Sequence, residues 1–539
     1  MRPVAPLPLG FFLAACLFLP GCLRRETVVQ RGDREQVLHR GIGYEVTDLD
    51  PQLATGTAEQ AVVSALFEGL VTEDPRDLHP VPGVAARWTV SPDGITYTFF
   101  LRPEACWSNG KPITARDFVA SWQRILTPSL GADNASLLYV IQGAEAFNKG
   151  VTKDFAEVGA AALDPHTLRV TLEYPAPYFL SLLTHWCWYP VPLEVIAASG
   201  PVAQRGNPWT HPRHLVSNGP FVLKAWEPNK VIVVEKSPSY WDASHVRLRA
   251  IHLYPIDSLE AEEREFRAGQ LHLTDALPAG RIEAYRRTQS PCLRIDPYLG
   301  TYFYRINIRR PYLNNGRIRR ALSLAVDRRA IVEKILRGGQ TPAWTFTPPG
   351  IGDYEPPAGL RNDFAEARRL LAEAGYPGGK GLPPLEILYN NSENHREIAE
   401  AVQEMWRREL GLTVRLVNEE EKVLLAARRT GDYQILRSDW IADYLDPSSF
   451  LNVWRSDSGN NDTGWSFPDY DSMLFSADRT ADPSSRHALF RTAEAILLGN
   501  VPIIPIYHYT HVFLIQPSVH GWYPNLLDHH PYKDVWLEN

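Results

Sequence analysis

The residues best placed to do chemistry lie between Ser438 and Trp454, in the run S-D-W-I-A-D-Y-L-D-P-S-S-F-L-N-V-W. Two carboxylates, Asp443 and Asp446, stand there among Trp440, Tyr444 and Phe450, with Arg437 just before them. A carboxylate held near aromatic rings beyond a strand end suits a ligand ammonium, since both groups attract a cation. The competing readings are a solvated turn and an aspartate that caps the next segment.

Catalytic patterns are missing elsewhere. There is no Gly-x-Ser-x-Gly elbow, no His-Glu-x-x-His helix and no Gly-x-x-x-x-Gly-Lys phosphate loop. His508 and His511 sit in a strand-like run, Ile503 to Leu514, where residues three apart point to opposite faces. They are not expected to share a metal. His529 and His530 read as surface residues. No spacing singles out a carboxylate pair for hydrolysis. The chain is therefore expected not to be an enzyme and to need no metal or cofactor.

The elements that must position the 438–454 run can be traced on both sides. Leu385 to Tyr389 reads as a strand. Glu393 to Glu409 reads as a helix with Ile398, Val402, Met405 and Trp406 on one face, stopped by Gly411. Leu412 to Val417 is the next strand, so the two strands are expected to be parallel with a right-handed crossover. A helix over Lys422 to Arg429 leads to a strand over Tyr433 to Arg437. Ligands bind beyond the carboxyl ends of such strands, which brings His395 and Asp443 to one rim.

Upstream, Ser91-Pro92-Asp93-Gly94 marks a turn between strands. Thr114 and Asp117 form a capping-box pair, and the following helix carries Phe118, Trp122, Ile125 and Leu126 on one face. A strand start is expected near Gly41 to Val46, and a helix over Ala61 to Phe67.

The chain has 539 residues, 44% of them hydrophobic and 22% charged, enough for two or more domains with large cores. A net charge of −7 offers no overall basic surface, which argues against nucleic acid as a partner. Residues 1–21 read as a secretory leader: Arg2 supplies positive charge and Leu9 to Leu19 an apolar run too short to cross a bilayer. Leu19-Pro20-Gly21-Cys22 resembles a lipobox, with Pro20 in an unusual position, and makes Cys22 the expected lipidation site. Residues 22–37 are expected to be a polar tether. Cys106, Cys187 and Cys292 remain after Cys16 and Cys22; one disulfide or three free thiols are both open.

The ordered motifs carry a family resemblance. They are P-G-V-A-x-x-W (82–88), D-G-x-x-Y-T-F-x-L-R (93–102), W-S-N-G-x-P-I-T-A-x-D-F-V-x-S-W-Q-R (107–124), Asn218-Gly219-Pro220-Phe221, Tyr240-Trp241, Asp296-Pro297-Tyr298-Leu299 and Arg319-Arg320-Ala321-Leu322 with Asp327-Arg328. From about residue 38 onward the chain resembles the extracytoplasmic peptide-binding proteins of ABC importers, solute-binding family 5, most of all the oligopeptide branch. The resemblance implies an α/β, two-lobed periplasmic-binding-protein-like fold (class II, the large three-part peptide-binding type) with hinge closure. The implied parts are lobe I (38–67, 196–299 and 511–539), an additional domain (68–195) and lobe II (300–510). It implies short peptides as ligands, an ABC permease as partner, a monomer, and a lipid-anchored place in the periplasm or on the outer face of the cytoplasmic membrane. A nickel chelate, haem, murein peptide or sugar derivative on the same fold is the alternative.

Physical chemistry sets what such a site needs. A zwitterionic peptide buries an ammonium and a carboxylate, and either one without a partner costs several kcal/mol. The resemblance assigns Asp443 to the ligand's amino terminus. Arg437, Arg428 and His395 match positions that meet carboxylates of peptides of different length, and Trp440, Tyr298 and Tyr509 match pocket walls. For the arginines a surface ion pair, for His395 a helix-start role, and for the aromatics plain core packing are the competing readings. The chain also departs from its family. Thr55 and Thr57 replace an acidic residue and a valine, Asn134 a tyrosine, Glu421 a tryptophan and Leu336 a lysine. Gly300 and Ile441 stand where some relatives have a cysteine pair.

Overall fold

The computed structural model describes residues 26–538. The leader and Cys22 lie outside them.

Alternating patterns build three main sheets. The first holds Val37–Gly41, Ala250–Tyr254, Val231–Lys236 and Phe221–Glu227 in that spatial order, its edge strand Val37–Gly41 parallel to its neighbour. The second is an antiparallel meander-like sheet of Ala85–Val90, Thr96–Leu101, Thr167–Thr171 and Ala160–Asp164. The third has six strands, ordered Thr341–Pro342, Ile503–Leu514, Leu293–Ile306, Ile435–Ile441, Leu385–Asn390 and Val414–Glu419. Within it the 385–390 strand runs parallel to the 414–419 and 435–441 strands, with the helix Glu393–Leu410 as crossover. The expected βαβ unit is therefore present. The first two sheets share one buried cluster, in which Leu38 and Ile251 join Phe99 and Trp122. The third sheet has separate cores on its two faces.

Two long strands join these bodies. Leu293–Ile306 and Ile503–Leu514 pair antiparallel, with a register break between Pro297 and Thr301. On one side of the break, Leu293, Ile295, Val512 and Leu514 pack with Phe266 and Leu271. On the other, Tyr302, Tyr304, Ile504 and Ile506 enter the core of the third sheet. The expected boundaries at 299/300 and 510/511 thus fall inside continuous strands. Pro297 lacks an N–H to donate, so the ladder is weakened at that crossing.

Residues 28–37, expected as part of a tether, are ordered instead. Val28–Glu35 is a helix opened by a capping box between Thr27 and Gln30. Its polar sequence hid a docking face: Val29, Gly32 and Asp33 are buried, and Asp33 Oδ1 lies 3.2 Å from His272 Nε2. The strand after it is Val37–Gly41, earlier than the sequence suggested. The Thr114–Asp117 capping box forms as expected. Cys106, Cys187 and Cys292 are free thiols. No described helix is long and apolar enough to cross a membrane.

Candidate functional site

Strand parity decides which face of the 435–441 strand meets which environment. The strand is longer than the sequence suggested and takes in Asp439, Trp440 and Ile441. Tyr304 pairs with Arg437, Tyr302 with Asp439, Thr301 with Trp440 and Gly300 with Ile441. Side chains alternate, so Arg437, Asp439 and Ile441 share one face and Trp440 takes the other. Trp440 packs against the Phe450–Trp454 core, and its indole N–H donates to the Ser449 carbonyl at 2.7 Å. It does not line the cavity described below.

Arg437 is 8% exposed and held from several sides. Its guanidinium donates to Tyr509 Oη at 3.2 Å and Asn390 Oδ1 at 3.4 Å, lies 3.3 Å from Asp439 Oδ2, and sits 5.0 Å from the centre of the Tyr302 ring. Burial opposes its charge, but Asp439 and the surrounding tyrosine hydroxyls outweigh burial and keep it protonated. His395, in the first turn of the crossover helix, lies 5.6 Å from Tyr302, ring to ring. Burial, then the charge of Arg437, pushes its pKa well below the usual value. Its Nδ1 is buried without a partner. Arg428 is bound instead to Asp462, with Nε 3.0 Å from Oδ2.

Asp443 and Asp446 of the 438–454 run are separated by the fold. Asp446 is structural: it accepts from Ser448 N at 2.9 Å and receives both guanidinium arms of Arg486, at 2.6 and 2.9 Å. Asp443 has no such partner. Its nearest cationic group is His185, with Nε2 3.9 Å from Oδ1. His185 Nδ1 accepts the Cys187 N–H at 3.2 Å, and burial lowers its pKa to about 3, so the ring is neutral. Burial likewise pushes Asp443 up from 3.8 to about 7, and the charge of His529 pulls it back only partly. What Asp443 lacks is a cation.

A cavity of about 260 Å³ lies between the first two sheets and the third; Asp443 is not among its lining residues, but Ile441, two positions before it, and His529, whose charge acts on it, are. Ile441, Asp439, Tyr298 and Tyr509 form one wall; Thr184, Trp186 and His529 lie on the opposite side. Tyr298 and Tyr509 meet at a ring distance of 6.3 Å, beside the register break that frees Tyr298 from the ladder. The body carrying Asp443 is zipped onto the 174–186 segment: Tyr444 stacks on Tyr178 at 5.2 Å, and Arg486 and Arg479 lie over Tyr178 and Tyr174.

His529 and His530 are not surface residues. His529 Nδ1 lies 2.8 Å from Glu73 Oε2, His530 Nε2 lies 2.8 Å from Asp528 Oδ1, and both histidines line the cavity. For His529 the sequence carried no signal, because its partner Glu73 is 456 residues away; His530 has its partner two positions before it, and only the fold buries that pair. His508 and His511 do diverge: His508 Nδ1 meets Thr301 Oγ1 at 2.9 Å, and His511 Nδ1 meets Asp528 at 2.9 Å. Among the departures, Thr57 lines the cavity, Asn134 Nδ2 donates to the Ala54 carbonyl at 3.5 Å, and Leu336 is sealed in the core of the third sheet.

Residues 79–462 match the family model described as bacterial extracellular solute-binding proteins, family 5 Middle. The chain belongs to that family. It is 38% identical over 503 residues to the periplasmic oligopeptide-binding protein OppA of Escherichia coli, covering 90% of each chain. Haemophilus influenzae OppA, solved in complex with RPPGFSPFR, superimposes with a TM-score of 0.87 at 33% identity, covering 94% of this chain and 99% of that one. The unliganded open form of the periplasmic murein tripeptide-binding protein MppA gives only 0.69 at 35% identity, covering 95% and 99%. Identity and coverage are nearly equal, so the lower score reflects a different placement of the lobes. The solute-binding fold here has the lobe arrangement of the peptide complex and not that of the open form.

Proposed function

We propose that this protein captures short oligopeptides outside the cytoplasmic membrane and delivers them to an ABC permease, tethered through a lipid on Cys22. The observation that carries this reading is Asp443, a carboxylate only 26% exposed and without a charged partner, near a cleft between two lobes. A peptide α-ammonium supplies the missing charge and removes the cost of burying the carboxylate alone. Arg437, held charged among Tyr509, Tyr302 and Asp439, is the cation for the ligand carboxylate. Tyr298 and Tyr509 supply the wall between them. His395 assists as a neutral neighbour of Arg437, and Arg428 acts at most after leaving Asp462. The 293–306 and 503–514 strands are the hinge, flexing at the Pro297–Thr301 break. A ligand lacking an amino terminus would leave Asp443 unanswered, which disfavours the non-peptide alternatives.

The test is native followed by denaturing mass spectrometry on the mature protein purified without added ligand. A released mixture of short peptides is the expected result. A single non-peptide mass would keep the fold and overturn the substrate.

A further inference from the structure

Five carboxylates line the cavity: Glu68, Glu73, Asp275, Asp439 and Asp528. Four of them are answered by the protein. Glu68 accepts from Tyr240 and Trp241 and faces Lys533 at 3.5 Å. Glu73 accepts from Thr184 and meets His529, each at 2.8 Å. Asp439 meets Arg437, and Asp528 meets both His511 and His530.

Asp275 is different. Among the described residues its carboxylate oxygens form no hydrogen bond and no ion pair. Its backbone is firmly placed: its N–H donates to Glu262 Oε1 at 2.8 Å and its carbonyl meets His511 Nε2 at 2.6 Å. Gly43, at φ +76°, leaves the space the carboxylate occupies, since a Cβ there would lie 2.7 Å from Oδ2. The nearby cations His511 and Arg40 favour the charged form of Asp275 through space but make their direct side-chain contacts elsewhere. Arg40 donates to Tyr532 Oη at 2.5 Å and lies 5.0 Å over the Trp522 ring, while His511 Nδ1 is held by Asp528. The fully buried Glu262 beside it is pushed up to about 8 by burial and by the charge of Asp275, and burial raises Asp275 as well.

We infer that Asp275 is a second anchoring carboxylate of the cleft, which receives a side-chain ammonium or guanidinium, so that the substrates are short peptides carrying a lysine- or arginine-like residue. This rests on the peptide-binding reading above. Asp275 is the one cavity-lining carboxylate without a direct partner among the described residues, Asp443 lies near the cavity without a charged partner, and a basic peptide brings two cations. An uncharged side chain would leave Asp275 desolvated against the ligand, so recognition and rejection both act at this residue.

The experiment is calorimetry on the unliganded full-length mature protein. The titrants are tetra-alanine and its variants with one lysine, or one uncharged norleucine of similar shape, at each of the first three positions. At one position lysine should bind about tenfold or more tighter than norleucine, the range of a charge-assisted hydrogen bond. In Asp275→Asn that gain should vanish while tetra-alanine still binds, at least as tightly as to the wild type because the penalty on an uncharged side chain is gone, which also shows the variant is folded. Equal lysine and norleucine affinities at every position in the wild type would overturn the inference while leaving peptide binding intact. A lysine gain that survives in Asp275→Asn would also overturn it. If no peptide of the set binds, the peptide reading itself falls and this inference with it.

Discussion

Ile441 stands opposite Gly300 in the antiparallel pair, and its Cδ1 fills the space that a Cβ on residue 300 would take. The two positions are complementary in volume. The absence of a side chain at 300 lets Ile441 lie flat and form part of the cavity wall beside Tyr509. Gly300→Ala should therefore cost about 1–3 kcal/mol through overpacking. Ile441→Ala in the same chain should recover most of that loss. A double-mutant cycle from denaturant unfolding checks this, and additive effects would mean the two residues do not compensate.

Asp443→Ala should weaken peptide binding by about 2–5 kcal/mol, because it strands a desolvated ligand ammonium. Trp440→Phe removes the hydrogen bond to the Ser449 carbonyl and part of the ring packing on the far face of the strand. It should leave affinity within threefold or so. Calorimetry with a tight-binding peptide separates the two. Equal losses would place Trp440 in the site.

Asp446 serves the fold, and its removal should show in stability first. Asp446→Ala leaves Arg486 buried and unpaired, which should cost about 3–5 kcal/mol in urea unfolding. A normal unfolding curve with abolished peptide binding would reverse the roles given to Asp443 and Asp446.

Closure of the empty protein should depend on pH through Asp443. In solvent its pKa lies near 3.8; in the closed cleft burial moves it to about 7. The closed form thus binds the extra proton between about pH 4 and 7. Acid favours closure without ligand, and the effect is lost as pH rises through 7. His529 titrates nearby, raised by Glu73 against the effect of burial, and His185 stays neutral. Asp443→Asn isolates the aspartate. Small-angle scattering should show the ligand-free radius of gyration rising from pH 5 to pH 8 in the wild type, with that rise reduced in Asp443→Asn. An identical pH response in both proteins would assign it to other groups.

Much was legible from local pattern. The 3.6-residue spacing of Ile398, Val402, Met405 and Trp406, bounded by Gly411, marked the crossover helix because burial of one face and a left-handed cap are local requirements. Parallel pairing of its flanking strands followed from chirality, and the motif series carried the family. Other features misled for equally physical reasons. The 28–35 helix is polar, and only its docking onto His272 and Gly269 makes it part of the core. The resemblance gives Arg437 a ligand carboxylate and Trp440 a pocket wall, but the two are three apart in a strand whose true length the sequence understated, and parity puts them on opposite faces.

By itself, then, the sequence determined the crossover helix, the βαβ order, the family and the short stretch that holds Asp443 and Asp446. Tertiary structure alone decided which carboxylate is free. Asp443 and Asp446 are three residues apart and chemically alike, yet one meets Arg486 and the other a neutral His185. His529, Glu73, Asp275 and Asp528 reach the same cavity from distant segments. Charge compensation in a buried site acts through space at a few ångströms, and chain order carries no record of which distant cation arrives.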